Sequence, residues 1–275
     1  MKLLNLGCGS RYHSDWTNID FTSNNEYVIA HNLLEGIPFS NNKFNVLYHS
    51  HVLEHFNKDD AKNFLKECYR VMAVDGVIRI VIPDLEQIVE SYINALNTVL
   101  QDTSEINKAN YDWTVIELID QLVRPSSGGE MGKLWNSDEI TNEKFIAERV
   151  GYEFKNYREN HLKNLKEKKH KVQPRKKTIL SRIKKKIRKL IFPVKKTQPI
   201  SKYEQLGRFR LSGEIHQWMY DRHSIVELLE QIGFKNVKIT SAFESSIPNW
   251  EKYKDLDVIG NEKRKPDSLY VEAIK

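Results

Sequence analysis

The sequence predicts an α/β fold on a Rossmann-like, mostly parallel sheet, and three features predict it. An apolar run enters a two-glycine turn at Leu4-Asn5-Leu6-Gly7-Cys8-Gly9-Ser10. An acidic residue closes a second short run at Asn18-Ile19-Asp20. A longer apolar run, Gly76 to Asp84, follows a segment of helical periodicity. Strands alternating with helical patterns belong to α/β sheets covered on both faces.

Lys2 to Leu6 reads as a buried strand. The glycines after it let the backbone turn sharply and approach a ligand. Asp20, ending the second strand, can accept bonds from two ribose hydroxyls. The full G-x-G-x-x-G dinucleotide pattern is broken, because Tyr12 stands at its third glycine. That glycine lets a helix pack under a pyrophosphate. An adenosine-bearing cofactor without a pyrophosphate, such as S-adenosylmethionine (SAM), does not need it. Only ten residues separate Gly9 from Asp20, so the first crossover helix is about a turn long or absent.

Third and fourth strands are expected at Tyr27–Leu33 and Phe44–Ser50. Asp59 or Asp60 caps a helix running through Ala73, with Ala61, Phe64, Leu65, Cys68, Val71 and Met72 on one face. Asp75-Gly76 ends that helix and a fifth strand follows; Leu85 to Leu100 is a second amphipathic helix. Beyond it the nucleotide-fold pattern stops. Helical periodicity continues through Val115–Leu122, a loop spans Pro125–Gly129, and a further helix is expected from Asn142 to about Lys169. The α/β pattern resumes with Asp221 capping a helix that Gly233 stops. Val237–Ile239 and Leu269–Ile274 read as the last strands.

Together with Ser50-His51-Val52-Leu53-Glu54-His55 and Ser268-Leu269-Tyr270-Val271-Glu272-Ala273, these motifs resemble class I SAM-dependent methyltransferases. They resemble most a small group often encoded beside surface-polysaccharide enzymes. The resemblance covers roughly residues 1–95 and 210–275. It implies a methyltransferase sandwich whose seven-stranded sheet has an antiparallel last strand, interrupted by a helical insertion. The implied parts are a SAM-binding part over 1–100, the insertion over 101–209 and a C-terminal part over 210–275. The cofactor set is Gly7, Cys8, Gly9, Asp20, the Asn32-Leu33 turn and Ser50. Asn32 stands where the group usually has Asp; an amide there can both donate to and accept from an adenine edge.

His51 lies just past strand four, beside the expected methyl position, and is a candidate general base. His216 is a second candidate from the other side of the cleft. His51-Val52-Leu53-Glu54-His55 also matches the zinc-peptidase pattern H-x-x-E-H. It follows a strand instead of lying within a long helix, so no metal is expected. His49 reads as packing in the strand end.

The net charge of +6 conceals two unlike parts. Residues 163–196 carry sixteen Lys or Arg and one acid, Glu167, a charge of +15, which leaves −9 on the remainder. Ile179, Leu180, Ile183, Ile187, Leu190 and Ile191 recur at helical spacing among Lys184, Lys185, Lys186, Arg188 and Lys189. A basic amphipathic helix over 178–192 fits an anionic membrane surface. Nucleic acid is a poor fit. Phe192 is the lone aromatic in that segment, no Asn/Asp-Pro-Pro-aromatic motif follows strand four, and neither cysteine follows a proline. Cys8 and Cys68 suggest no disulfide framework, and a reducing cytoplasm suits both. The N-terminus runs straight into a core strand, so no signal peptide is expected.

The expected function is methyl transfer from SAM to a sugar hydroxyl of a surface glycan or lipid-linked precursor, at the inner face of the membrane. The substrate rests on the resemblance and the basic segment. Two other readings stand beside it: a non-catalytic SAM-binding regulator and a nucleic-acid methyltransferase.

Overall fold

The protein is described by a computed structural model covering residues 1–23, 25–170 and 200–275. The amphipathic stretch 178–192 lies outside the described residues.

Seven strands form one sheet in the order β3-β2-β1-β4-β5-β9-β6. They are β1 (Leu3–Leu6), β2 (Thr17–Asp20), β3 (Val28–Ala30), β4 (Phe44–Ser50), β5 (Met72–Pro83), β6 (Lys235–Thr240) and β9 (Ser268–Ile274). β1 to β5 pair in parallel, and β9 runs antiparallel to both β5 and β6. This is the expected Rossmann-like methyltransferase sheet with its last strand antiparallel. A separate two-stranded ribbon, β7 (Val258–Ile259) and β8 (Glu262–Lys263), has no counterpart in the sequence reading.

Side-chain alternation along the strands divides the core. Leu4 and Leu6 join Leu47, Ile78 and Ile80 on the face covered by helices α1 (Lys58–Val71) and α8 (Arg222–Ile232). Leu3 lies on the opposite face with Val46, Tyr48, Val81 and Tyr270. There the cover is the β6–β9 connection, through Ile247, Trp250, Tyr253 and Leu256. The predicted cap of α1 shifts by one turn. Asn57, not Asp59 or Asp60, accepts the first free N–H groups, those of Asp59 and Asp60. β5 also begins earlier than expected, at Met72, with Asp75 in the left-handed region within it.

Between β1 and β2 the described residues hold no helix, as the short spacing predicts. Two buried asparagines organise that connection instead. Asn5 Nδ2 donates to Arg11 O at 3.0 Å and to Asn18 Oδ1 at 3.2 Å. Asn18 Nδ2 reaches the carbonyls of His13, Trp16 and Tyr27.

The segment between β5 and α8 contains α2 (Leu85–Gln101), α3 (Glu105–Val123), α4 (Gly129–Trp135), α5 (Glu143–Val150), α6 (Tyr152–His170) and α7 (Lys202–Arg210). Trp113, Trp135, Ile146, Val150 and Phe154 form a third core within it. The single helix expected from Asn142 to Lys169 is broken at Gly151. That residue sits at φ +75, and a Cβ there would collide with Pro266 and the Arg264 carbonyl. Tyr152 N–H donates to that same carbonyl at 3.1 Å. The break therefore docks the insertion onto the chain just before β9.

His49 in β4 is fully buried, with its ring 5.3 Å from that of Phe64. Neither ring nitrogen has a partner among the described residues, and burial pushes its pKa down to about 3. The unfolded chain therefore binds a proton that the folded chain refuses between pH 6.5 and 3. This term lowers stability as pH falls through that window, by up to roughly 4–5 kcal/mol. Urea unfolding of His49→Leu should show a flatter acid limb than wild type between pH 6.5 and 3, with no loss of stability at pH 7. Identical pH slopes for the two proteins would rule this origin out.

Candidate active site

Strand order reverses between β1 and β4, because β2 and β3 build outward on one side of β1 and β4 starts the other. Ligands of open α/β sheets bind beyond the carboxyl ends of the strands at such a reversal. Gly7 follows β1 there and Ser50 ends β4. A cleft of about 880 Å³ opens at this point, with Gly7, Cys8, Gly9 and Ser50 in its wall. The volume is within the range of ligand clefts, about 300–1,000 Å³.

Gly7 takes φ +62, and a side chain there would strike Val52. Only glycine allows β1 and the loop after β4 to approach so closely. Cys8 N–H donates to Ile19 O at 3.1 Å, and Gly9 N–H donates to Asp20 Oδ2 at 2.7 Å. A Cβ on Gly9 would meet no atom within 4 Å, so the turn presents open space to the cleft. This cradle fits the adenosine-bearing cofactor expected from the sequence.

Asp20, Asn32 and Leu33 are not among the residues that line this cleft. Asp20 braces the turn through Gly9. Asn32 Oδ1 accepts from Leu34 N–H at 3.1 Å and its amide donates to Glu35 at 3.2 Å, which caps a short 3-10 turn over Leu33–Glu35. The side chain read as an adenine partner is thus engaged by the Leu34 N–H and the Glu35 carboxylate.

His51 and His216 line a second cavity of about 340 Å³, together with Glu54, His55 and Asp267. Trp135, Glu153 and Lys265 belong to both cavities and form the wall between them. His51 sits at φ +55. Its Nδ1 lies 3.0 Å from Glu54 Oε1, and its Nε2 shares a hydrogen bond with Ser268 Oγ at 2.9 Å. Burial holds His51 well below the usual imidazole range, with Lys265 and Arg264 adding to it, so the ring is neutral and resists protonation in this environment. Burial pushes Glu54 the other way, up to about 8, and Asp267 to about 6.

The H-x-x-E-H residues do not lie on a long helix. Leu53–His55 is a single 3-10 turn, and the partner of His55 is His216, with ring centroids 5.0 Å apart. Gln217 and Trp218 N–H donate to Glu54 O at 2.7 and 3.3 Å, and Gln217 Nε2 donates to His55 O at 2.8 Å. His216 N–H donates to Gln121 O at 3.0 Å. These bonds fasten two segments that are distant in sequence.

Several cleft residues escaped the sequence reading. Arg264 donates from Nη2 to Ser50 Oγ at 3.1 Å, and Lys265 Nζ lies 3.5 Å from Glu153. Both belong to an irregular basic stretch without a motif. On α6, Tyr152, Asn156, Asn160 and Asn164 face the cleft. Their four-residue spacing was the available signal.

Replacing Asp20 separates bracing of the turn from charge at the ribose. Asp20→Ala should weaken SAM by about 1.5–3 kcal/mol, the usual worth of a hydrogen bond to a charged group. Asp20→Asn, which keeps an acceptor for Gly9 N–H, should lose less. Unchanged calorimetric affinity in Asp20→Ala would remove Asp20 from the cofactor site.

Residues 4–80 match the family model described as a methyltransferase domain, a span running from β1 into β5 and containing the glycine turn, Asp20 and the loop after β4. No curated protein matches the chain. Similar solved structures include a SAM-dependent methyltransferase from Archaeoglobus fulgidus, 12% identical, covering 100% of this chain and 86% of that one at a TM-score of 0.38. Another, from Thermotoga maritima and described as a possible histamine N-methyltransferase, is 9% identical, covering 100% and 82% at 0.39. A third, from Mesorhizobium loti, is 10% identical, covering 100% and 90% at 0.37. The fold rests on strand order and not on overlaps this low. Over residues 4–80, the strands that build the cleft, the chain matches a methyltransferase domain, and its glycine cradle suits an adenosine-bearing cofactor.

Proposed function

We propose that the protein transfers a methyl group from SAM to a sugar hydroxyl, in a surface glycan or its lipid-linked precursor. The observation that carries this reading is the face α6 turns to the cleft. Asn156, Asn160 and Asn164 form a ladder of neutral amides, each able to donate and to accept, with Tyr152 at the same spacing. Trp135 and Tyr157 line the cleft beside them, and Tyr157 Oη–H donates to Asn136 Oδ1 at 2.8 Å. Amides beside aromatic faces suit a polyhydroxyl ligand, and Arg11, which lies over the Tyr152 ring, Arg264 and Lys265 in the same wall suit a charged group carried by it.

When bound, SAM supplies an electrophilic methyl group. Gly7, Cys8, Gly9 and Ser50 would hold it, with Arg264 fixed against Ser50. Alignment of the acceptor oxygen is then the main task of the protein. A neutral hydroxyl must also lose its proton. His51 is the residue we assign to that role, although it lines the neighbouring cavity and its nitrogens contact Ser268 and Glu54, so acceptor binding must bring the hydroxyl to it.

The test is transfer of labelled methyl from SAM to glycan and lipid fractions of the source organism. Label in polysaccharide or lipid-linked sugar is expected; label confined to nucleic acid or protein would overturn the reading. His51→Ala should lower turnover by roughly 10²–10⁴ while SAM affinity stays close to wild type. Near-wild-type turnover would remove His51 as the base.

Docking of the basic stretch 178–192 on an anionic bilayer belongs to the same proposal, since it would bring the cleft to a lipid-linked acceptor. Each basic residue near such a surface contributes on the order of 1 kcal/mol, falling with salt. Wild type should co-sediment with anionic liposomes at low salt. A variant with Ile183, Ile187, Lys184, Lys185 and Lys186 changed to Ser should not, and equal sedimentation of the two would defeat the docking role. Among the described residues no helix is long and apolar enough to cross a membrane.

A further inference from the structure

We propose that Glu54, His55 and His216 hold a single divalent transition-metal ion, zinc being the one their ligand chemistry suits. Each offers one ligand atom, and the three atoms lie within 4.8 Å of one another. Tetrahedral ligands at roughly 2.0–2.2 Å from zinc stand about 3.4 Å apart. Closing the set takes side-chain shifts of about an ångström, with the backbone already in place.

Four features make this a built site and not a chance cluster. The first is the state of His55. Its Nδ1 lies 3.0 Å from Ile215 O, and a carbonyl can only accept. Nδ1 therefore carries the proton, and Nε2 is left with a free lone pair. Metal-ligating histidines are oriented by this kind of outer bond.

The second is Glu54, fully buried, with neither carboxylate oxygen hydrogen-bonded among the described residues. His51 Nδ1 is its one charged-group contact among the described residues, and a buried carboxylate so thinly compensated is costly, a cost a cation would offset. His51 Nδ1, 3.0 Å from Oε1, stands where an outer donor to a ligating carboxylate would. The third is the framework: the bonds from Gln217 and Trp218 to the carbonyls of Glu54 and His55 set the spacing between the two ligand-bearing segments.

The fourth is charge. In the cavity beside the cluster Glu117 is paired with Arg149, Glu214 with Arg124 and Glu153 with Lys265, which leaves Asp267 beside Glu54 to favour a cation. Two imidazoles favour zinc, copper, nickel or iron over magnesium or calcium. A two-histidine, one-carboxylate set leaves a zinc coordination position open, as catalytic zinc sites do. That position would face the 340 Å³ cavity and take water or another oxygen ligand. The inference does not depend on which acceptor the enzyme methylates.

The test uses the full-length chain, stripped with chelator and titrated with ZnCl₂ by calorimetry without SAM or acceptor. One ion per chain is expected. Glu54→Gln and His216→Gln should each weaken it by more than about 100-fold, beyond the roughly 10–100-fold typical of losing an outer partner. His223→Gln, an exposed histidine of α8, should bind as wild type. Circular dichroism reports whether each variant folds. Should a ligand variant fail to fold, wild type loaded with CoCl₂ decides. The intense visible absorption of a low-coordinate cobalt site is expected, and the pale spectrum of solvated cobalt would overturn the proposal. So would the absence of stoichiometric zinc on folded wild type, or wild-type affinity in both ligand variants.

Discussion

The buried guanidinium of Arg79 holds together the half of the molecule on which the cleft depends. It sits in β5 with no exposure, paired with Asp257 at 2.7 Å and Glu272 at 2.9 Å. It also donates to the carbonyls of Ser241 and Glu244 and stands 4.6 Å from the ring of Trp250. Removing one partner from such a cluster strands the others, at roughly 3–5 kcal/mol. Asp257 transmits the arrangement outward. Its carbonyl receives Arg264 N–H at 2.8 Å, Arg264 Nε donates to Leu256 O, and Arg264 Nη2 reaches Ser50 in the cleft. The position of a cleft cation is thus set by a charge cluster in the interior.

The cluster belongs to a polar row that crosses the sheet. In register, Asn18 faces Asn5, Asn5 faces Tyr48, Tyr48 faces Arg79, Arg79 faces Glu272 and Glu272 faces Lys238. Tyr48 Oη–H donates to Asp257 at 2.7 Å, so the row also ties down the chain that covers this face. Each strand carries one such residue amid apolar neighbours. In the linear sequence Asn5, Arg79 and Glu272 are each an isolated polar residue in an apolar run, and only the register makes them partners.

The β1, β4, β5 and β9 strands were legible because their apolar runs are bounded by glycine, proline and acidic residues. The missing first crossover helix was legible from ten residues of spacing. The break at Gly151 was not, because it arises from the approach of Pro266, more than a hundred residues away. The site divides similarly. Gly7, Gly9 and Ser50 could be placed from local motifs. The meeting of Glu54 and His55 with His216 depends on the pairing of residues 54–55 with 217–218. The motif drew attention to Glu54 and His55 on helical geometry that a 3-10 turn does not provide. The roles of Asn32 and Asp20 depend on competition: short polar side chains satisfy nearby backbone donors first.

Cys8 gives the cleft a chemical property of its own. Its side chain is buried in the cofactor turn, where desolvation and the nearby carboxylate of Asp20 push its pKa up to about 12. The thiolate is the reactive form of cysteine, and at neutral pH almost none is present here. A methyl donor is an alkylating agent, and a thiolate in the wall of its cleft would compete with the acceptor for the methyl group. With its sulfur protonated, Cys8 is a poor competitor for such a methyl group at neutral pH, although it lies in the wall of the cleft.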